Sequence, residues 1–399
     1  VKGEPGSFVS LSILRGTDTL KYELVRDEVI VKNVVFAGFV PDNGNTAYVK
    51  LAGFTRSAGT ELQNALTALQ REKEIKGIIL DLRGNPGGLL ESAVEISNLF
   101  LKKGQLIVTT RGKDPKSIRE YVASREPLFP EVNLIVLVNE FSASASEIVA
   151  GAIQDHDRGV VLGNKTFGKG LVQTIIPISY NASLKLTTAR YFTPSGRCIQ
   201  KVDYGKDNKV IAGYLSLPET TFTTDNNRIV LSHGGVTPDT SVVPKAVSEV
   251  TQKILAKGLF FRFGTWYYNK NAQTKFADLN KNQVFSDFGS YLKESKASLD
   301  FEIDKKMKEV LTLTEDAGQY NQLRSAANAV LDQSGDRLDQ MLRQNKEEVL
   351  KYLLTELATR FIGRDESVKV GLHYDTQFAS AVSVLQQGEL YNKILNKRK

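Results

Sequence analysis

The chain reads as an α/β core built on a largely parallel sheet, preceded by a short strand pair and followed by a mainly helical block. Three observations predict this. Near-continuous apolar runs such as "GIILDLR" and "NLIVLVN" alternate with segments of helical period, the pattern of strands covered on both faces. Residues 1–28 instead show period-two alternation, and after about Ser248 the chain turns to Lys, Glu, Gln, Asn and Leu at helical spacing. A length of 399 residues accommodates two or three domains of roughly 100–200 residues each. The expected organisation is 1–28, 29–247 and 248–399.

Composition narrows the function classes. With 41% apolar and 24% charged residues, neither disorder nor a fibrous repeat is indicated, and no run approaches the ~20 apolar residues of a membrane helix. The net charge of +7 is scattered except at the end, "NKILNKRK", which argues against a nucleic-acid surface. One cysteine, Cys198, excludes an internal disulfide and speaks against a Cys-rich metal site. The opening "VKGEPGSFVSLSIL" has neither a basic n-region nor an apolar h-region, so any targeting signal is expected to be removed or to lie outside this chain.

Taken in order, a turn at Gly3 to Gly6 leads into the strand around Phe8 to Ile13, and "TLKYELVRD" is its expected partner. "AYVKLAGF" is a strand, "SAGTELQNALTALQREK" a helix and "GIILDLR" a strand. The Gly-rich "GNPGG" then opens a helix carrying Leu89, Val94, Ile96, Leu99 and Phe100. "NLIVLVN" and "GVVLG" are further strands, while "LVQTIIPI", "SLKLTTARYFT" and "RIVLSHGGVTPD" look like β structure added at one side. In the last block, Leu338, Met341, Leu342, Val349, Leu353, Leu357 and Phe361 form one helical stripe, with Gly363 as its stop. The aromatic stretch "FFRFGTWYYN" is expected in core or interdomain packing.

Between "NLIVLVN" and "GVVLG" lies "EFSASASEIVAGAIQDHDRG", three serines at alternate positions followed by an apolar helix. Locally, Ser144 and Glu147 make a capping box. A strand-to-helix turn also exposes a hydroxyl beside N–H groups at the positive end of a helix, which suits a nucleophile. Such a serine needs a base. His156 lies 12 residues on, about 18 Å along a continuous helix, and is expected to be a helix-end residue. His233 and His373 have no signature linking them to the serine.

A lysine alternative sits in "GNKTFGKGLVQ", where Lys169 is flanked by Gly168 and Gly170. The glycines let the backbone approach closely, and an extended chain puts Lys169, Leu171 and Gln173 on one face. Lysine acts as a base only when neutral, and a neutral amide such as Gln173 orients the amine without favouring the ammonium as a carboxylate would. Lys165 reads as an ordinary loop lysine. The third element is "DLRGNPGG": it lacks both phosphate-binding glycine patterns, but a Gly-Gly peptide at a helix start is a natural donor to an oxyanion.

"DLRGNPGG", "SASASEIVAGAIQDHDRGVVLG" and "KTFGKGLVQ" together resemble the C-terminal processing peptidases, or tail-specific proteases, serine peptidases of the bacterial cell envelope and photosynthetic organelles. The match runs over roughly residues 30 to 245, including "ARYFTPSGRCIQ" and "GGVTPD". The resemblance implies a crotonase/ClpP-like core of β-β-α units, with Ser144 as nucleophile, Lys169 as general base and Gln173 as its orienting residue. It implies an oxyanion hole from the N–H groups of Gly88 and Ala145, with Gly87 the weaker choice for the first. Ser142 and Ser146 become supports of the turn and Asp155 a structural acid. Residues 1–28 become the last strands of a PDZ domain, a reader of substrate tails. Cys198 departs from the small residue usual after "SGR", and no catalytic role is expected for it.

The implied activity is cleavage of polypeptides near their C-termini, without metal or cofactor, in a periplasmic or other cell-envelope setting. The implied partners are polypeptide tails, with neither nucleic acid nor a membrane span. The helical block is expected to serve packing, homo-oligomerisation or substrate guidance. The rival readings are a latent or non-catalytic peptide-binding scaffold on the same fold, and an acyl-CoA enzyme indifferent to Lys169.

Overall fold

The computed structural model describes residues 1–29, 31–179, 182–201, 220–232, 234–295, 299, 301–314 and 320–396, and side chains at all of these except 334 and 335. His233 lies outside the described residues. In chain order the first elements are β1 (Phe8–Arg15), β2 (Asp18–Val25), β3 (Val34–Phe39), β4 (Thr46–Leu51), α1 (Ala58–Glu72), β5 (Gly77–Asp81), α2 (Leu90–Ser97), β6 (Leu106–Gly112), β7 (Arg119–Val122) and β8 (Asn133–Val138). There follow α3 (Ala145–Asp155), β9 (Val160–Gly163), β10 (Leu171–Pro177), β11 (Ser183–Phe192), β12 (Thr221–Thr223), β13 (Ile229–Leu231) and β14 (Thr240–Ser241). The helical block holds α4 (Glu249–Ala256), α5 (Leu259–Asn271), α6 (Lys281–Glu294), α7 (Glu302–Leu313), α8 (Asn321–Asp332), α9 (Ser334–Gln344), α10 (Lys346–Phe361), α11 (Arg364–His373), α12 (Thr376–Gln386) and α13 (Gly388–Ile394).

The central sheet has six strands in the order β14-β9-β8-β5-β4-β3. All neighbours run parallel except β3, which pairs antiparallel with β4. The apolar runs seen in sequence are these strands, and period two divides their side chains between two cores. Ile78, Leu80, Val136 and Val138 face Leu62, Leu66 and Leu69 of α1, Ile96 of α2 and Val149 and Ile153 of α3. Ile79, Ile135 and Leu137, with Tyr48, Val160 and Leu162, face the opposite way.

That second face is covered by the end of the chain. Leu372, Phe378, Ala381, Val384, Tyr391 and Leu395, from α11 to just past α13, complete the second core. The Tyr391 hydroxyl accepts from the Leu134 N–H at 3.0 Å and returns a bond to the Leu134 carbonyl. The block 248–399 is mainly helical, as read, but it does not act as one body: α4, α5, α6 and α10 enclose a separate core of Phe260, Phe263, Val284, Phe288, Val349 and Leu353. The aromatic stretch supplies its centre, with Phe260 stacked on Phe288 at 5.3 Å. The apolar stripe from Leu338 to Phe361 spans two helices rather than one. They meet at Asn345 (φ −112°, ψ 26°), whose side-chain amide donates to the Met341 carbonyl at 2.8 Å and competes with the helical ladder.

A second, antiparallel sheet, β10-β11-β6-β7, leaves β10 as an edge. Among the described residues the β1–β2 hairpin pairs only within itself and keeps most of its side chains exposed, and β12–β13 forms another two-stranded unit. Truncation of Phe378, which packs edge-on against Tyr48 with ring centroids 5.4 Å apart, tests the docking of α12. Phe378→Ala is expected to lower unfolding stability by about 3–5 kcal/mol in urea titrations; a loss under about 1 kcal/mol would mean that the helix is not integral to the sheet.

Candidate active site

Parallel pairing of β5 with β8, and of β8 with β9, brings three connections out side by side at the carboxyl ends of the strands, where ligands of open α/β sheets bind. The first is the glycine-rich loop after β5, the second the serine turn after β8, and the third the lysine loop after β9. The first two are laced together. Ser142 Oγ donates to the Leu82 carbonyl at 2.8 Å, while the Ala143 N–H and Ser146 Oγ both donate to the Asn85 carbonyl at 3.0 Å. The outer serines therefore support the turn.

Ser144 itself has φ 56° and ψ −113°. Positive φ is uncommon for a residue with a Cβ and is held only where the surroundings over-determine it. The constraint is visible at Gly87 (φ 93°), where a Cβ would lie 2.5 Å from the Ala143 carbonyl oxygen and 2.8 Å from the Ala145 nitrogen. The Gly87 N–H is committed to Asn85 Oδ1 at 2.9 Å. By contrast, among the described residues the N–H groups of Gly88 and Ala145 have no hydrogen-bond acceptor. Ala145 is the first residue of α3, so its N–H stands at the positive end of that helix.

The lysine loop is attached to the serine turn through Glu147. Its fully buried carboxylate accepts from the Ser144 N–H at 2.8 Å and the Lys169 N–H at 2.9 Å on one oxygen. The other oxygen accepts from Thr166 Oγ1 at 2.6 Å and the Gly168 N–H at 2.7 Å. Burial pushes the Glu147 carboxyl up from its ordinary range, against the opposing pull of these donors. The buried Tyr191 hydroxyl donates to the carbonyls of Lys169 and, at 3.3 Å, Ser144. Gly170 donates to Gln200 Oε1 at 2.6 Å, and a Cβ on Gly168 would lie 2.7 Å from Lys201. The glycines on either side of the lysine thus answer to crowding.

A cleft of about 720 Å³ opens over these three connections. Gly88, Ser144, Ala145, Lys169 and Gln173 all border it, together with Leu171 and Tyr191. Ser144 and Lys169 are half-buried, and Gln173 is exposed on β10. His156 is not part of this constellation: it ends α3, its ring held by Asp225 at 2.7 Å and the Leu106 carbonyl at 2.7 Å. Asp155 is buried in an ion pair with Arg197 at 2.8 Å and accepts from the Ser195 N–H at 3.0 Å. His373 ends α11, and Cys198 is half-buried.

A model of peptidase family S41 matches residues 45–210, and a model described as the C-terminal helical domain of a probable PDZ-protease matches residues 250–385. Residues 45–210 belong to peptidase family S41. The S41 segment begins next to β4 and contains all five of the cleft residues expected from sequence. A carboxy-terminal-processing protease of Bartonella bacilliformis is 43% identical over 212 residues, covering 52% of this chain and 48% of that protein. A carboxyl-terminal-processing protease of Picosynechococcus is 37% identical over 212 residues, covering 53% and 50%. A probable CtpA-like serine protease of Staphylococcus aureus is 31% identical over 287 residues, covering 71% and 52%. The chain spans about half the length of these relatives. Among solved structures, the photosystem II D1 C-terminal processing protease is 29% identical, covering 62% of this chain and 58% of that one at a TM-score of 0.40.

Sequence reasoning placed Glu147 only in a helix cap and passed over Thr166, Tyr191 and Gln200. The one available signal was the capping-box spacing, which finds the bond to Ser144 and none of those to the lysine loop. Replacing Glu147 by Gln turns one acceptor oxygen into a donor facing N–H or O–H groups. Glu147→Gln is expected to cost about 2–4 kcal/mol of unfolding stability by urea denaturation. An unchanged midpoint and slope would show that the carboxylate does not hold the loops.

Proposed function

We propose that the chain is the catalytic part of a serine endopeptidase that cleaves polypeptides near their C-termini. What carries the reading is that residues from three distant segments, Gly88, Ser144 with Ala145, and Lys169 with Gln173, border one cleft at the start of a helix. Two backbone N–H groups there have no acceptor among the described residues. In the proposed mechanism neutral Lys169 takes the proton of Ser144 Oγ as that oxygen attacks the scissile carbonyl. The N–H groups of Gly88 and Ala145 hold the oxyanion, and the lysine then gives its proton to the leaving amine. Water, deprotonated by the same lysine, releases the acyl group and restores Ser144. Gln173 orients the amine. No step needs a metal or cofactor.

The cleft and the names of the relatives support the substrate class. Among the described residues β10 is paired on one side only, and Ile175 on it is 65% exposed while bordering the cleft. An extended polypeptide adds there as a further strand. Cleavage near C-termini agrees with the carboxy-terminal-processing names of the two bacterial relatives. The domain reading is residues 1–28 as the closing strands of a PDZ domain, 29–247 as a crotonase-like protease core and 248–399 as the helical extension, working in the cell envelope. No described helix is long and apolar enough to cross a membrane.

The test is digestion of an unfolded, disulfide-free protein by the chain and its variants, with products read by mass spectrometry. The parent is expected to cut, and Ser144→Ala and Lys169→Ala to lose about 10³-fold or more in kcat. Cleavage by Lys169→Ala at the parent's rate would sink the dyad, while a parent that cuts nothing would favour the latent or non-catalytic scaffold.

A further inference from the structure

A cluster of charge lies behind the glycine-rich loop, and the peptidase mechanism makes no use of it. Asp81, fully buried, ends β5 and accepts from the Tyr48 hydroxyl at 2.6 Å. Arg83 folds back on it, donating Nε to Oδ1 at 2.9 Å and Nη2 to Oδ2 at 2.6 Å, while its own N–H also reaches Oδ1 at 2.9 Å. Burial pushes the Asp81 carboxyl up, but the guanidinium outweighs it and holds the group below its usual range. The pair is therefore ionised and forked, a geometry with little freedom.

The remaining arm of Arg83 leaves the loop altogether. Nη1 donates to Asp375 Oδ2 at 2.7 Å and to Gln377 Oε1 at 2.9 Å, and both residues stand at the start of α12, nearly three hundred positions away in sequence. These partners are themselves fixed. Asp375 Oδ1 caps α12 by accepting from the N–H groups of Gln377 at 2.9 Å and Phe378 at 3.0 Å. Gln377 Nε2 donates to the Val242 carbonyl at 2.7 Å, and Phe378 packs edge-on against the ring of Tyr48. Helix α12 thus grips Asp81 by two routes, one ionic through Arg83 and one by packing through Tyr48.

Arg83 begins the turn that presents Gly88. From it, Gly84 N–H is tied to Asn139 Oδ1 at 2.9 Å and Asn85 Nδ2 to the Leu51 carbonyl at 2.8 Å. We propose that Asp375 and Gln377 are positioning residues for the peptidase reaction: by holding Arg83 they fix the loop whose Gly88 N–H completes the oxyanion hole. The helical end of the chain is on this view part of the catalytic apparatus, although it touches no substrate. The inference rests on the peptidase reading. A loop displaced by a fraction of an ångström weakens an interaction made in the transition state and leaves ground-state binding of the polypeptide largely intact, so the loss falls on kcat rather than KM.

Asp375→Asn isolates the ionic contact, because asparagine caps a helix as well as aspartate does. In the full chain it is expected to lower kcat by about tenfold with KM changed less than about twofold. Covalent labelling of Ser144 by a fluorophosphonate, whose adduct oxygen occupies the oxyanion site, should slow in parallel while the thermal midpoint stays close to that of the parent. Unchanged kcat and labelling in Asp375→Asn, or a KM that moves as much as kcat, would overturn the inference. A parent chain that neither cuts nor takes label, or that labels equally as Ser144→Ala, refutes the peptidase reading itself.

Discussion

The four hydrogen bonds accepted by the Glu147 carboxylate join the serine turn to the lysine loop, and the geometry of the cleft depends on them. The donors come from Ser144, Thr166, Gly168 and Lys169. A carboxylate with no exposed surface is costly unless its oxygens are satisfied, and here both oxygens accept twice. Because the carboxylate is shared, the backbones of Ser144 and Lys169 are bound to one group on the first turn of α3, and neither loop can drift without stranding it.

That arrangement is possible only because of strand order. β5, β8 and β9 are adjacent and parallel, so the chain segments that follow them emerge at one edge of the sheet within hydrogen-bonding reach. The sheet in turn is stable only when both faces are covered, by α1 to α3 on one side and by α11 to α13 on the other. The end of the chain therefore supplies the second layer of the sandwich, and through Asp375 and Gln377 it also reaches the loop that follows β5. Packing and site geometry share a cause in this molecule: the helix that buries the sheet's far face also grips the arginine beside the glycine-rich turn.

Much of this was legible in the primary structure. The apolar runs of β5 and β8, the Gly-Gly turn, the alternating serines and the glycine-flanked Lys169 each carry a local signal, and the residues they pointed to border a single cleft. The same is true of Asp155 and His156, which sequence reasoning set aside and which the structure holds in an ion pair with Arg197 and at a helix end. What was not legible had no local signal. The stripe from Leu338 to Phe361 reads as one helix because apolar spacing survives the break at Asn345, where the backbone leaves helical dihedrals and the side-chain amide adds a bond to the Met341 carbonyl.

The sequence by itself determined most of the strands and helices, where glycine is required, and the side chains that border the cleft, because periodicity and steric demand are properties of a few neighbouring residues. Only the tertiary structure decided which buried polar groups meet: Glu147 with the lysine loop, Arg83 with Asp375, Tyr391 with the backbone of β8. Such pairings join positions from about twenty to nearly three hundred residues apart. They are set by sheet order and by the need to satisfy every donor and acceptor removed from water, and no local pattern encodes that condition.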